Sequence, residues 1–118
     1  RAKREFSFAM GGWSSETGEA SSFLQYWVSA FDKEHGLGTS NYGGYDNPAF
    51  DKVFKRALTT VDPAVREKLL QESLTLALAD LPSIPLHFES SIWAFRKGLT
   101  YEGRADQYTL AMSAKPAN

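Results

Sequence analysis

Apolar and polar residues alternate at the start of the chain, where Phe6, Phe8 and Met10 interleave with Glu5, Ser7 and Ala9. A period of two predicts a half-buried β-strand, and the Gly11-Gly12 pair ends it. The spacing then becomes helical, with Phe23, Trp27, Ala30 and Phe31 on one face and Leu24 and Val28 beside them. Ser21 or Ser22 suits the N-cap of that helix. From Asp32 to Asp46 the pattern dissolves into a glycine-rich loop, with Gly36, Gly38, Gly43 and Gly44 among tyrosines. Asn47-Pro48 and Asp62-Pro63 each open a further helix, the first residue as cap and the proline in the first turn. Phe50, Val53, Phe54, Ala57 and Leu58 stripe the first of these. Val65, Leu69, Leu70, Leu74, Ala77, Leu78 and Leu81 give the second a wide face expected to be buried. Alternation returns at Ile84, Leu86 and Phe88, through Ile92 to Phe95, and at Tyr108, Leu110 and Met112. The predicted order is one strand, three helices and two or three strands, a mixed α/β (α+β) class with three helices on a small sheet. Residues 115–118 read as a loose tail.

The length of 118 residues suits a single domain, here residues 1–118. A formal net charge of −1 argues against a nucleic-acid partner, which a basic face would announce. The chain has no cysteine, so disulfides, thiolate metal sites and cysteine nucleophiles are excluded. No apolar run reaches the roughly 18–20 residues that cross a bilayer as a helix. Opening on Arg1 without an initiator Met, the chain reads as a piece of a longer protein.

Chemistry is sparse. His35 and His87 are the two histidines and have no ligand-like spacing around them, so no metal or other cofactor is expected. No G-x-S-x-G elbow accompanies the serines, and no glycine loop for phosphate follows a strand. The informative stretch is Gly11 to Glu19. Gly11 and Gly12 let another group approach the backbone closely. Trp13 offers a flat apolar surface with one N–H donor. Glu19 suits the favourable end of the helix dipole. Glu16 reads equally as such a charge or as a carboxylate gripping a ligand cation. Two rival readings stand beside this one. One is a small hydrolase using Glu16 or Glu19 with His87 as acid and base, and the other is a plain protein-interaction module.

Several motifs then carry a likeness. Gly12-Trp13-Ser14-Ser15-Glu16 with Ser22-Phe23-Leu24, Tyr45-Asp46-Asn47-Pro48-Ala49-Phe50-Asp51, and Asp62-Pro63-Ala64-Val65-Arg66 follow one another in order. Ile84-Pro85-Leu86-His87-Phe88 and Trp93-Ala94-Phe95-Arg96-Lys97-Gly98 complete the set. In this order the chain resembles the C-terminal part of the extracellular solute-binding proteins of the peptide/nickel/opine family. These are the receptors of ABC importers, with oligopeptide- and dipeptide-binding members.

The resemblance implies a non-enzymatic function: capture of a peptide or other small amine-bearing solute between two hinged lobes and delivery to ABC permease subunits. The chain would supply part of the C-terminal lobe plus strands returning toward the other lobe, in the periplasm or at the cell surface. In peptide-binding members an Asp of the Gly-Trp segment pairs with the ligand's α-amino group, and Glu16 stands at that place here. An Arg that oligopeptide binders place three residues before the Trp is Met10 in this chain. The implied ligand-binding set is Gly11, Gly12, Trp13 and Glu16, with His87, Glu89 and Trp93 lining the cleft. An isolated part of one lobe is expected to bind weakly, and its exposed apolar faces would favour a homodimer.

Overall fold

The computed structural model describes residues 5–15 and 18–117 and confirms a mixed α/β class: three helices and a two-stranded sheet. The chain divides into two compact units, Arg1–Ile84 and Pro85–Asn118.

The first unit contains the helices. A short α1, Ser21–Phe23, runs directly into one π turn, Leu24–Val28. α2 spans Pro48–Thr59 and α3 spans Pro63–Asp80. The two proline-led starts form as the sequence predicts. Asn47 Oδ1 accepts the N–H groups of Ala49 at 2.9 Å and Phe50 at 3.1 Å. Asp62 Oδ1 accepts that of Val65 at 2.9 Å. α2 and α3 pack together, and Leu24, Val28, Leu37, Phe50, Phe54, Ala57, Leu69, Leu70 and Ala77 form the core. Phe50 and Phe54 stack at its centre with ring centroids 5.5 Å apart.

The first helix departs from expectation in three ways. It ends before Ala30 and Phe31, because the N–H and hydroxyl of Ser29 both donate to the Leu24 carbonyl and the backbone turns extended there. Phe31, placed by periodicity on the apolar face, is therefore exposed. The N-cap is Ala20, without a side-chain cap bond; the Ser21 hydroxyl donates to Glu19 instead. The wide face of α3 is also only partly covered. Leu69, Leu70 and Ala77 are buried, whereas Val65, Leu78 and Leu81 are exposed.

The loop after the π turn is pinned rather than loose. Asp32 and Leu37 exchange backbone hydrogen bonds across a tight turn. Gly38 has a φ of +63° and is pressed against backbone, so that a Cβ there would lie 2.4 Å from the Ser29 carbonyl oxygen. Buried Asn41 donates to the carbonyls of Ser29 and Tyr45 and accepts the Tyr45 N–H. At the far end, Asn47 Nδ2 and the Tyr45 hydroxyl both donate to Asp80, the last residue of α3.

In the second unit, β1 (Leu99–Tyr101) pairs antiparallel with β2 (Ala114–Pro116), Thr100 facing Lys115. Lys115 and Pro116, expected in a trailing tail, thus belong to a strand. A 3-10 turn at Ala111–Ser113 precedes it, where alternation predicted a strand through Tyr108, Leu110 and Met112. Residues 5–10, 84–88 and 92–95 form no strand among the described residues. Alternation marks residues able to lie in a sheet, but a strand exists only where a second backbone completes the ladder.

Candidate ligand-binding site

The segment after Gly11-Gly12 folds back over the π turn. Trp13 donates its indole N–H to the Ser22 hydroxyl at 3.1 Å. Its ring lies 5.7 Å from Tyr26 and meets Trp27 edge-on at 6.0 Å, while Trp27 stacks with Phe23. Tyr26 and Trp27 both lie in the π turn Leu24–Val28. Gly11 has its close approach, and the group that makes it is Trp27: a Cβ at Gly11 would lie 2.5 Å from that ring. Gly12 is exposed. Trp13 keeps 39% of its surface open. An indole held at its N–H and half open on its ring is an apolar wall able to attract a cation.

Glu16 lies outside the described residues. Glu19, nearest the helix start, is committed to structure. Its carboxylate receives Arg66, 2.8 Å from Nη2 to Oε1, and the Ser21 hydroxyl. Arg66 also donates to the Ala57 carbonyl at the end of α2. The Arg66 guanidinium, and after it the Ser21 hydroxyl, hold the Glu19 carboxyl below the usual carboxylate range. That direction opposes the raised value a general acid needs near neutral pH.

Of the remaining candidates, His87 and Glu89 are exposed in the second unit. Trp93 is half-buried there, donating its N–H to the Thr109 hydroxyl at 3.0 Å and lying 5.9 Å from Tyr101. A Cβ at Gly103 would lie 2.5 Å from the Trp93 ring. Gly11, Gly12 and Trp13 belong to the first unit, and His87, Glu89 and Trp93 to the second. His35 pairs with Asp32 at 2.7 Å in the exposed turn. Among the described residues no group of three or more His, Asp or Glu side chains is placed to hold a metal ion. No helix there is long and apolar enough to cross a membrane.

Sequence reasoning did not single out Tyr26, and it named Arg66 only as part of the Asp62–Arg66 motif, without its partner. Tyr26 carried no signal, since it lies outside the apolar stripe that periodicity marks. Arg66 stands 47 residues from its partner Glu19, beyond the reach of any local pattern.

Among known proteins, the chain is similar to a probable D,D-dipeptide-binding periplasmic protein of Escherichia coli (strain K12), with 28% identity over 78 residues. The match covers 66% of this chain, which spans only 14% of that protein. No family model and no solved structure matches. The likeness is loose, but it falls in the same class of peptide-binding receptors that the ordered motifs resemble.

Proposed function

We propose that this chain is part of the solute-binding component of an ABC importer, taking up a peptide or another small amine-bearing solute in the periplasm or at the cell surface. The observation that carries this reading is the 28% identity with a periplasmic dipeptide-binding protein. The site at Trp13 supports it with a half-open indole, steadied by Ser22, Tyr26 and Trp27. In this reading Trp13 is the apolar wall, and Glu16 pairs with the solute's ammonium through a charge-assisted hydrogen bond. The permease subunits of the importer then take the solute from the receptor. No bond of the solute is broken. Closure of two lobes around the solute supplies most of the affinity, since binding selects the closed state.

The experiment is NMR titration of the 118-residue chain with a free D,D-dipeptide and with its N-acetylated form. The expected result is millimolar binding that moves the Trp13 indole N–H signal, lost on acetylation and in Glu16→Gln. Equal shifts from the acetylated dipeptide, or none at Trp13 at saturating dipeptide, overturn the amine assignment. Micromolar affinity overturns the reading of the chain as part of a two-lobed clamp.

A further inference from the structure

Trp13 is fastened on both flanks to one residue. Two positions beyond it, the Ser15 hydroxyl donates to the Glu19 carbonyl at 2.6 Å. On the other side, the Ser22 hydroxyl accepts the Trp13 indole N–H, and its neighbour Ser21 donates to the Glu19 carboxylate. Glu19 is in turn gripped from α3. Arg66 Nε reaches Oε2 at 3.3 Å and Nη2 reaches Oε1 at 2.8 Å, a side-on pair that meets both carboxylate oxygens. The third nitrogen, Nη1, donates to the Ala57 carbonyl in α2 at 2.8 Å. Ala57 is fully buried, so this run of contacts ends on the core. All three guanidinium nitrogens are engaged. A lysine has a single nitrogen and cannot hold two carboxylate oxygens and a carbonyl at these separate places.

We infer that Arg66 is a positioning residue for the Trp13 wall: it holds Glu19 against α2 and α3, and through Ser15 and the Ser21-Ser22 pair it sets where the indole stands. The inference deepens the solute reading and rests on it for the purpose of the wall. Apolar contact with Tyr26 and Trp27 is non-directional and leaves the ring free to slide. The N–H bond to Ser22 is directional and fixes which edge of the indole faces inward. That bond is only as fixed as Ser22 itself, which stands three residues from the carboxylate that Arg66 clamps. The physical gain is preorganisation, because a ring already in place costs little ordering when the solute arrives.

The NMR signal of the Trp13 indole N–H, assigned by its loss in Trp13→Phe, reads this seat without any solute. Arg66→Met is expected to move it, and Arg66→Lys to move it less. Glu19→Gln is expected to move it the same way. Arg66→Met combined with Glu19→Gln is expected to move it no further than Arg66→Met alone, since both act through one contact. Arg56→Met removes an exposed cation from α2 and leaves the signal in place. Helical circular dichroism from α2 and α3 checks that each variant is folded; if Arg66→Met does not fold, Arg66→Lys and Glu19→Gln carry the test. Toward a free D,D-dipeptide, Arg66→Met is expected to bind about fivefold more weakly than the native chain. A signal unmoved in folded Arg66 and Glu19 variants, or an additive double variant, overturns the positioning role. A moved signal with native dipeptide affinity overturns the link from seat to solute. A native chain that ignores the dipeptide overturns the solute reading, and the solute-free signal still decides whether Arg66 sets Trp13.

Discussion

Asp51 stands one turn into α2, where its carboxylate takes the Ala30 N–H while Oδ1 is buried without a hydrogen-bond partner among the described residues. Burial is the main cause that pushes its carboxyl above the ordinary value. A group whose folded value is raised contributes stability that is present in acid and lost as pH rises through that value. At neutral pH the ionised side chain therefore works against folding. Asp51→Asn, which keeps an acceptor for Ala30, is expected to raise the melting temperature at about pH 7 and to change it little at about pH 3. Thermal unfolding followed by circular dichroism at both pH values checks this; an equal shift at both pH values contradicts it. Composition gave no hint of this residue's state. Asp51 reads as an ordinary helix-start acid until the return of residues 29–30 covers it. Asn47 and Asp62 were legible for the opposite reason: a cap is completed by the next three residues, so the relevant chemistry is local.

At the scale of elements, α2 and α3 were readable because each carries its start signal and its apolar stripe within itself. The π turn was not. Its extra residue is forced by Ser29, whose two donors converge on one carbonyl, and an apolar period over so few residues does not distinguish the two kinds of turn. The strands failed in another way, since alternation at 6–10 and 84–95 marks capacity to pair without supplying the partner. The link between the turn before α1 and α3 is the Glu19–Arg66 pair, and it sets a pH response. Glu19 has a lowered carboxyl, so its contribution is fully present above the ordinary carboxylate value and is lost as pH falls toward the folded one. With both side chains partly exposed to water, the effect is modest. Glu19→Gln is expected to lower stability at neutral pH and to flatten the acid side of the pH–stability curve. An unchanged acid slope in chemical denaturation assigns the loss to carboxylates other than Glu19.

For the whole molecule, the mixed class was legible, and the division into two units was not, because it depends on where burial concentrates rather than on any linker-like composition. Among the described residues, the buried hydrophobic core runs from Leu24 to Ala77. A chain ending at Ile84 is thus expected to retain the helical circular dichroism of α2 and α3 and to unfold in one cooperative transition. A featureless melt would mean that residues after Ile84 complete the core. Of the candidate site, the Trp13 wall was foreseeable from a tryptophan following a glycine pair. Its supports were not, since Tyr26 and Trp27 meet it from residues 13 and 14 positions further along the chain.

The single amide of Asn47 has a consequence for how the helical unit opens. Its oxygen holds the entry of α2 and its nitrogen holds the exit of α3 through Asp80, with Tyr45 as a second tether. Fraying at either terminus breaks the plane that serves the other, so the two ends are expected to exchange their amide hydrogens together. One side chain makes the two helices a single latch.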